Sequence, residues 1–435
     1  MKDIYAGLIG FGTVGAGVVK LLQGNASLIS DKLGARLILK KIADLDTTTD
    51  RGVQLSPGML TSSVNDVLDD PEISIVIELI GGYEPAKSFV LRAIAAGKHV
   101  VTANKALLAL HGDEIYAAAA KAGVEVLYEA AVGGGIPVLS AIKGNMAANR
   151  FNTILGILNG TCNYILTRMT KEGLDFADVL KNAQELGYAE ADPTFDIEGI
   201  DTAHKLALLL SLCFGTKVQF DQIYTEGITS ISAIDINFAQ QFGYRIKLLA
   251  IGKRDGDRIE ARVHPTMIPV HYPMADVDGP FNAIRLTGDF VGPVMFYGRG
   301  AGQEPTASAV VGDMMDISRN IIAGVGQRVA PRGFINEKIA SLAIKPIGES
   351  VSRYYLRFSV VDQPGVLAAI AGALGKYNIS IESMIQNGRS GDYVPIVIIT
   401  HEAKESDITA ALAEIDGLDM IKEKSNLIRI EDNLE

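Results

Sequence analysis

Cysteine is nearly missing from this chain: two, Cys162 and Cys213, in 435 residues. Two thiols cannot build a disulfide framework, so a reducing compartment, the cytoplasm, is expected. A basic excess is also missing. Forty Lys and Arg stand against 51 Asp and Glu, a net charge of -11. That balance excludes nucleic acid and anionic membrane as the main partners, since both reward basic patches. No apolar run approaches bilayer length; the greasiest, "LALLLSLCFG", suits a buried helix. The opening "MKDIYAGLIGFG" lacks the basic region, apolar core and cleavage site of a signal peptide. Tandem repeats and low-complexity tracts are absent, and the six histidines are scattered, with no pair at zinc spacing. What remains is 48% hydrophobic and 21% charged, a globular composition at a length that calls for two or three domains.

The first third alternates short apolar runs with helical patterns. "IYAGLIG", "ARLILKKIAD", "ISIVIELI", "KHVVTA" and "VEVLYEAA" read as strands, with helices between them such as "TVGAGVVKLLQ" and "EPAKSFVLRAIAAG". That rhythm predicts a parallel, doubly wound sheet. From about Gly133 the texture becomes α+β, and "YRIKLLAIGKRDGDRIEARVHPTMIP" has the alternation of two paired strands. "GDMMDISRNIIAGV" reads as a helix that returns to the first domain. After a loose stretch around "LAIKPIGESVSR", the tail runs β-α-β-β-α-β from "YYLRFSVV" to "MIKEKSNLIRIE", the ferredoxin-like plan.

"GFGTVG", residues 10–15, follows a strand and opens a helix. Gly10 permits the tight turn, Gly12 lets backbone approach a pyrophosphate, and Gly15 allows close helix–strand packing; Phe11, Thr13 and Val14 complete the loop. The context makes it a dinucleotide site. Asp44, ending the second strand, stands where an acid holds ribose hydroxyls and repels a 2′-phosphate, which leans toward NAD; a solvated strand-end acid is the competing reading. Gly81 ends another strand on the same edge and leaves room for the cofactor. Lys105, in "TANKA", is expected near the nicotinamide, because ligands of open α/β sheets bind outside the strands' carboxyl ends.

Between Glu190 and Asp201 five carboxylates precede a single lysine, Lys205, at the edge of an apolar helix. Asp201 and Lys205 are four residues apart and share a helical face. Burial lowers a lysine pKa and neighbouring acids raise it, so the pair reads either as a structural ion pair or as a poised proton donor.

"AQELGYAEADPTFDIEGIDTAHK", residues 183–205, closely resembles the signature of homoserine dehydrogenases. "GFGTVG", "TANKA", "EAAVGGGIP", "NGTCNYIL" and "GRGAG" resemble that family's blocks, in its order, over roughly residues 4–330. The tail, with "DQPGVLAAIAGALGKYNISIESMIQ", resembles an ACT regulatory domain. The resemblance implies NAD(P)-dependent interconversion of homoserine and aspartate 4-semialdehyde. By that likeness Lys205 is the acid/base group, Asp201 its partner, Glu190 the carboxylate for the substrate ammonium, and Lys105 a second lysine between nicotinamide and substrate. Gly187 and Gly302 resemble backbone contacts near the cofactor or closing lid. The backbone of Gly160 and Thr161, at a strand end before a helix, suits the substrate carboxylate. "YEAAVGGGIP" resembles a monovalent-cation (Na+) loop, with Glu129 and the carbonyls of Val132, Gly134 and Ile136 as ligands; a glycine-rich hinge without an ion is the other reading. Many family members carry a basic residue near the second strand's end, suited to NADP, whereas this chain has Asp44 and Asp46.

The expected domains are a Rossmann-type dinucleotide-binding domain over 1–132, completed by 305–340; an α+β substrate and dimerisation domain over 133–304; a linker over 341–353; and the ACT domain over 354–431. In the tail, Asp362, Gly365, Val366, Leu367, Asn378 and Ile379 are expected to bind an amino-acid effector, threonine being the leading candidate. A homodimer or homotetramer is expected. Two rival readings need other chemistry. A thiol-dependent semialdehyde dehydrogenase would use Cys162 as nucleophile; a non-catalytic dinucleotide-sensing scaffold would leave the two lysines without a task.

Overall fold

Six parallel strands form the first sheet of the computed structural model, which describes residues 1–386 and 393–432. Their order is Leu60–Thr61, Ala35–Ala43, Lys2–Ile9, Ile73–Glu78, His99–Thr102 and Val126–Leu127. The inner strands are apolar on both faces because helices cover both; Ile75, Val76 and Ile77 are all within 1% of full burial. The strand order reverses direction on either side of Lys2–Ile9, which makes its carboxyl end the crevice of a doubly wound sheet. The helix Gln303–Ala323, far along the chain, shares this core: Val310, Met314 and Ile317 pack with Leu8 and Val18.

By compactness the chain divides into two units, Met1–Leu158 with Ala203–Phe220 and Phe281–Leu342, and Asn159–Thr202 with Asp221–Pro280 and Ala343–Glu435. The first also contains an antiparallel ladder in which Phe281–Gly288 lies between Phe151–Ile157 and Gly292–Arg299. In the second, the hairpin Tyr244–Asp255/Arg258–Pro269 falls where alternation placed it. The tail's strands follow in the order Asn426–Ile430, Val351–Val360, Val394–Thr400, Ile381–Gln386, with the helices Val366–Lys376 and Glu405–Asp416 packed on one core. This is the ferredoxin-like order, and its last strand also pairs in parallel with Thr266 and Met267 of the hairpin. Asn387 and Gly388, at the end of the strand read from "ISIESMIQNG", lie outside the described residues.

Two elements differ from their sequence reading. The strand expected over "VEVLYEAA" stops at Leu127 and becomes a 3-10 turn, Glu129–Ala131. The Glu129 N–H goes to Asp313 Oδ2 at 2.8 Å, so it is not available to a ladder. The returning helix starts at Gln303 rather than Gly312, because Pro305 sits in the first turn, where its missing N–H costs nothing.

Candidate active site

The glycine loop is built as its sequence requires. Gly10 has φ +99°, and a Cβ there would stand 2.7 Å from the Leu79 carbonyl carbon. A Cβ on Gly15 would overlap the Gly10 carbonyl oxygen. Gly12 caps the helix Thr13–Gly24 and is different: no atom lies within 4 Å of where its Cβ would be. The space beside Gly12 at the helix start is therefore open, which fits the close approach of a pyrophosphate. Beside it, Asp44 Oδ2 accepts from the Phe11 N–H at 2.5 Å and Oδ1 from the Asp46 N–H at 2.8 Å. Arg51, unnoticed in the sequence, lies 4.9 Å above the Phe11 ring and pairs with Asp46 at 3.2 Å and Asp44 at 3.9 Å.

Across the strand ends, Glu78 is fully buried and organises the neighbouring turns. It accepts from Thr102 Oγ1 at 2.7 Å and from the N–H groups of Ile80 and Gly81 at 2.9 and 3.2 Å. Burial raises its pKa, and the Thr102 hydroxyl and the amides pull the other way. Asn104 caps the helix Lys105–Ala122 through the Leu107 N–H and ties it to the Gly82 carbonyl at 2.7 Å. Lys105 is thus the first residue of a fixed helix. Neither Glu78 nor Asn104 was singled out beforehand; the acid inside "ISIVIELIGG" was the available signal.

Lys205 is 8% exposed and donates to the Leu158 carbonyl at 2.7 Å. The same carbonyl accepts from Asn282 Nδ2 at 2.9 Å. The helix Ile200–Phe214 is apolar beyond this point, so the stem is packed and only the tip meets polar groups. His204 stacks on Phe220 at 4.2 Å, a packing role.

In the second unit Asn159 gathers the acids. It is 5% exposed, its Oδ1 caps the helix Gly160–Glu172 through the Cys162 N–H, and its Nδ2 donates to Asp196 at 2.7 Å and Asp201 at 2.9 Å. Asp201 is itself buried. Thr161 Oγ1 donates to the Tyr188 carbonyl at 2.8 Å, which anchors the turn through Gly187, whose φ is +76°. Glu190 is exposed. Asp192 accepts from the Thr194 N–H and shapes its turn. Cys162 is 0% exposed with Sγ donating to the Asp196 carbonyl, the surroundings of a packed thiol and not of an activated nucleophile.

The loop after Leu127 binds itself. Both Glu129 carboxylate oxygens accept backbone N–H groups, from Leu139 and Ser140 at 2.8 and 2.7 Å. The Ile136 carbonyl accepts from the Val138 N–H. Val132 and Gly134 are buried, and a Cβ on Gly134 would crowd the Gly300 carbonyl. Among the described residues no group of three His, Cys, Asp or Glu side chains could hold a metal. In the tail, Gly365 (φ +91°) caps the helix Val366–Lys376, and Asn378 is a non-glycine residue at φ +57°. Asp362 and Gly365 are exposed, Leu367 is half-buried, and the side chains of Val366 and Ile379 belong to the core.

A homoserine dehydrogenase NAD-binding family model matches residues 10–129, a homoserine dehydrogenase catalytic model matches 137–315, and an ACT model matches 354–418. A homoserine dehydrogenase of Pseudomonas aeruginosa is 45% identical over 433 residues, 99% of each chain. The chain belongs to the homoserine dehydrogenase family. The crystal structure of a homoserine dehydrogenase from Thiobacillus denitrificans has the same fold, with TM-score 0.93, 48% identity and 99% coverage of both chains. A hyperthermophilic archaeal homoserine dehydrogenase in complex with NADPH shares the fold at TM-score 0.60 and 23% identity, over 73% of this chain and 98% of that one. The enzyme is an NAD(P)-dependent oxidoreductase of a CH–OH group, interconverting homoserine and aspartate 4-semialdehyde. No helix among the described residues is long and apolar enough to cross a membrane.

Proposed function

We propose that Lys205 is the acid/base group of this reaction. The observation that carries the reading is an ammonium at the polar tip of a buried stem, anchored by one N–H to the Leu158 carbonyl. A bound nicotinamide supplies the hydride in reduction and takes it in oxidation. As the aldehyde carbon gains hydride, its oxygen gains negative charge, and Lys205 transfers a proton to it; in oxidation the neutral amine takes that proton back. Asp201, one turn earlier in the helix, orients the lysine and binds the substrate near its reacting oxygen, Glu190 binds the substrate ammonium, and the Gly160 and Thr161 amides bind its carboxylate. By the family likeness, Lys105, the first residue after the Asn104 cap, contacts nicotinamide and substrate, and the Gly187 and Gly302 backbone contacts the cofactor. Lys205→Met should lower kcat for homoserine oxidation by about 10²–10⁴ and leave cofactor affinity unchanged. Activity within a few-fold of the parent would end the assignment.

The cofactor preference proposed is NAD, on Asp44. A second reading has a specific support: Arg51 provides the cation that a 2′-phosphate needs, and Asp44 is already engaged by two backbone N–H groups. Asp44→Ala should raise kcat/KM with NADP relative to NAD by about tenfold, on the scale of one tolerable charge contact. If the parent already prefers NADP strongly, Arg51 governs the choice and Arg51→Gln removes it.

The loop at Glu129 takes Na+ through backbone carbonyls, Val132 and Gly134 being the candidates without a competing amide among those described; rates in Na+ and in tetramethylammonium buffers test it. The tail binds threonine at the Gly365 helix start, with Asp362 and Asn378 beside its polar groups. Calorimetry that detects no heat with threonine removes that ligand. The assembly is a homodimer or homotetramer in the cytoplasm, checked by sedimentation and by cell fractionation.

A further inference from the structure

The tail's last strand carries an arginine with no role in binding the proposed effector. Arg429 is 3% exposed and stands between two acids from distant parts of the sequence. Its Nε and Nη2 donate to Glu405, the first residue of the helix Glu405–Asp416, with the Nε contact at 3.0 Å and the Nη2 contact at 2.5 Å. Its Nη1 donates to Glu226 at 2.8 Å, and its guanidinium lies 4.9 Å over the Tyr224 ring. Glu405 also accepts from Tyr354 at 2.9 Å, so the pair is fully engaged on the tail side.

Glu226 opens the segment that supports the acids. Its N–H donates to the Val263 carbonyl at 2.8 Å, in register with the short parallel pairing of Tyr224 and Thr225. The next residue, Gly227, lies so close to the chain at Ile197 and Glu198 that a Cβ would overlap the Ile197 carbonyl oxygen. Ile228 then donates its N–H to that same carbonyl at 2.9 Å. A Cβ on Gly199 would meet Thr225 and Val263 at 3.3 and 3.2 Å. Asp196, one residue before Ile197, and Asp201, two after Gly199, are the acids bound by Asn159.

We propose that Arg429 is a positioning residue for substrate binding: with Glu405 behind it, it holds Glu226 and Gly227 against the Ile197–Gly199 backbone and so fixes the acid segment. A bidentate arginine in a water-poor setting is stiff enough for this task. The inference rests on the reading that Glu190 binds the substrate ammonium and that Asp201 acts beside the reacting oxygen. It gives the tail a part in substrate binding even with no effector bound.

The test uses the full-length enzyme. Glu226→Gln keeps an acceptor oxygen and removes the charge, at a side chain 29% exposed, so folding should survive. KM for homoserine should rise about three- to tenfold, the range seen for indirect couplings, with kcat falling by less and KM for the cofactor unchanged. Arg429→Lys should give a smaller rise and Arg429→Met a larger one. Combined with Glu190→Gln, Glu226→Gln should add less than its separate effect, since both act through one segment. An unchanged KM in a folded Glu226→Gln enzyme overturns the positioning role, whatever Glu190→Gln does. A rise with Glu226→Gln but none with Glu190→Gln moves the binding role off Glu190 and leaves Arg429 in place.

Discussion

The glycine loop at Gly10–Gly15 and the acid segment at Asp192–Asp201 are both short stretches of fixed backbone, proposed above as the cofactor and substrate sites. Their supports differ in kind. The loop is held by close backbone approach: Gly10 against Leu79, Gly15 against Gly10 itself, with no charged side chain in those contacts. The acid segment is held by polar side chains, Asn159 on one side and the Arg429–Glu226 pair on the other. A similar buried cluster stands at Asp235, which is 0% exposed and accepts from Arg357 Nε at 2.6 Å, Tyr355 at 2.9 Å and Asn426 at 2.8 Å. Close approach predominates at the first site, beside the one Asp44 contact to the Phe11 N–H, and polar side chains at the second, so the two should break under different substitutions.

The largest loss of stability is expected in the charged region. Arg357→Met leaves Asp235 buried with its countercharge gone, and removing one partner of a buried pair costs about 3–5 kcal/mol. Urea unfolding should register that loss. A variant as stable as the parent would mean that Tyr355, Asn426 and the Ser232 hydroxyl, which also donates to Asp235, satisfy it alone, and the contrast would weaken.

A smaller and more local effect is expected at the glycines. Gly15→Ala forces a methyl group into the Gly10 carbonyl, so the loop must shift, at a cost of about 1–3 kcal/mol for packing strain. Dinucleotide affinity should fall with it. Gly12→Ala meets no protein atom and should leave the melting temperature unchanged while still weakening the dinucleotide. Equal melting temperatures for the two variants would remove steric approach as the loop's support.

This division also explains what could be read in advance. Glycines and apolar runs leave a local trace, and the parallel sheet, the "GFGTVG" turn, the Tyr244–Pro269 hairpin and the tail's plan were all legible. The spacing of Asp201 and Lys205 left an ion pair and a proton donor both open, and the family resemblance selected the second. Asn159, Glu78 and Arg429 were not legible, because a polar residue that bonds across 24 to 203 positions has no periodicity; its partners exist only once the chain is folded. Arg51 was missed too, since nothing in the sequence sets it apart from any other loop cation. The hairpin Phe281–Arg299 escaped as well: its second strand alternates half-buried with exposed residues and includes Pro293 and two glycines, a weak strand signal.

The smallest effect expected is a pH dependence, and it belongs to the first unit. Asp313, on the helix Gln303–Ala323, is buried beside Glu129 and accepts its N–H. Burial pushes its carboxyl up to about 7, with Lys143 pulling it down and Glu129 pushing it further up. An unfolded aspartic acid ionises near 3.8. Between those values the folded chain holds the extra proton, so the stability from this group is full below about pH 4 and is lost as pH rises through about 7. Asp313→Asn keeps an acceptor for the Glu129 N–H and has nothing to titrate. The parent's melting temperature should fall more between pH 5 and pH 8 than the variant's. Burial also raises the Glu129 carboxyl, although Lys143 and the Leu139 and Ser140 amides oppose it, so a residual slope in the variant is expected. Identical slopes would place the proton elsewhere and leave Asp313 ionised in the fold, and a cation among the neighbouring carbonyls would then be the natural countercharge.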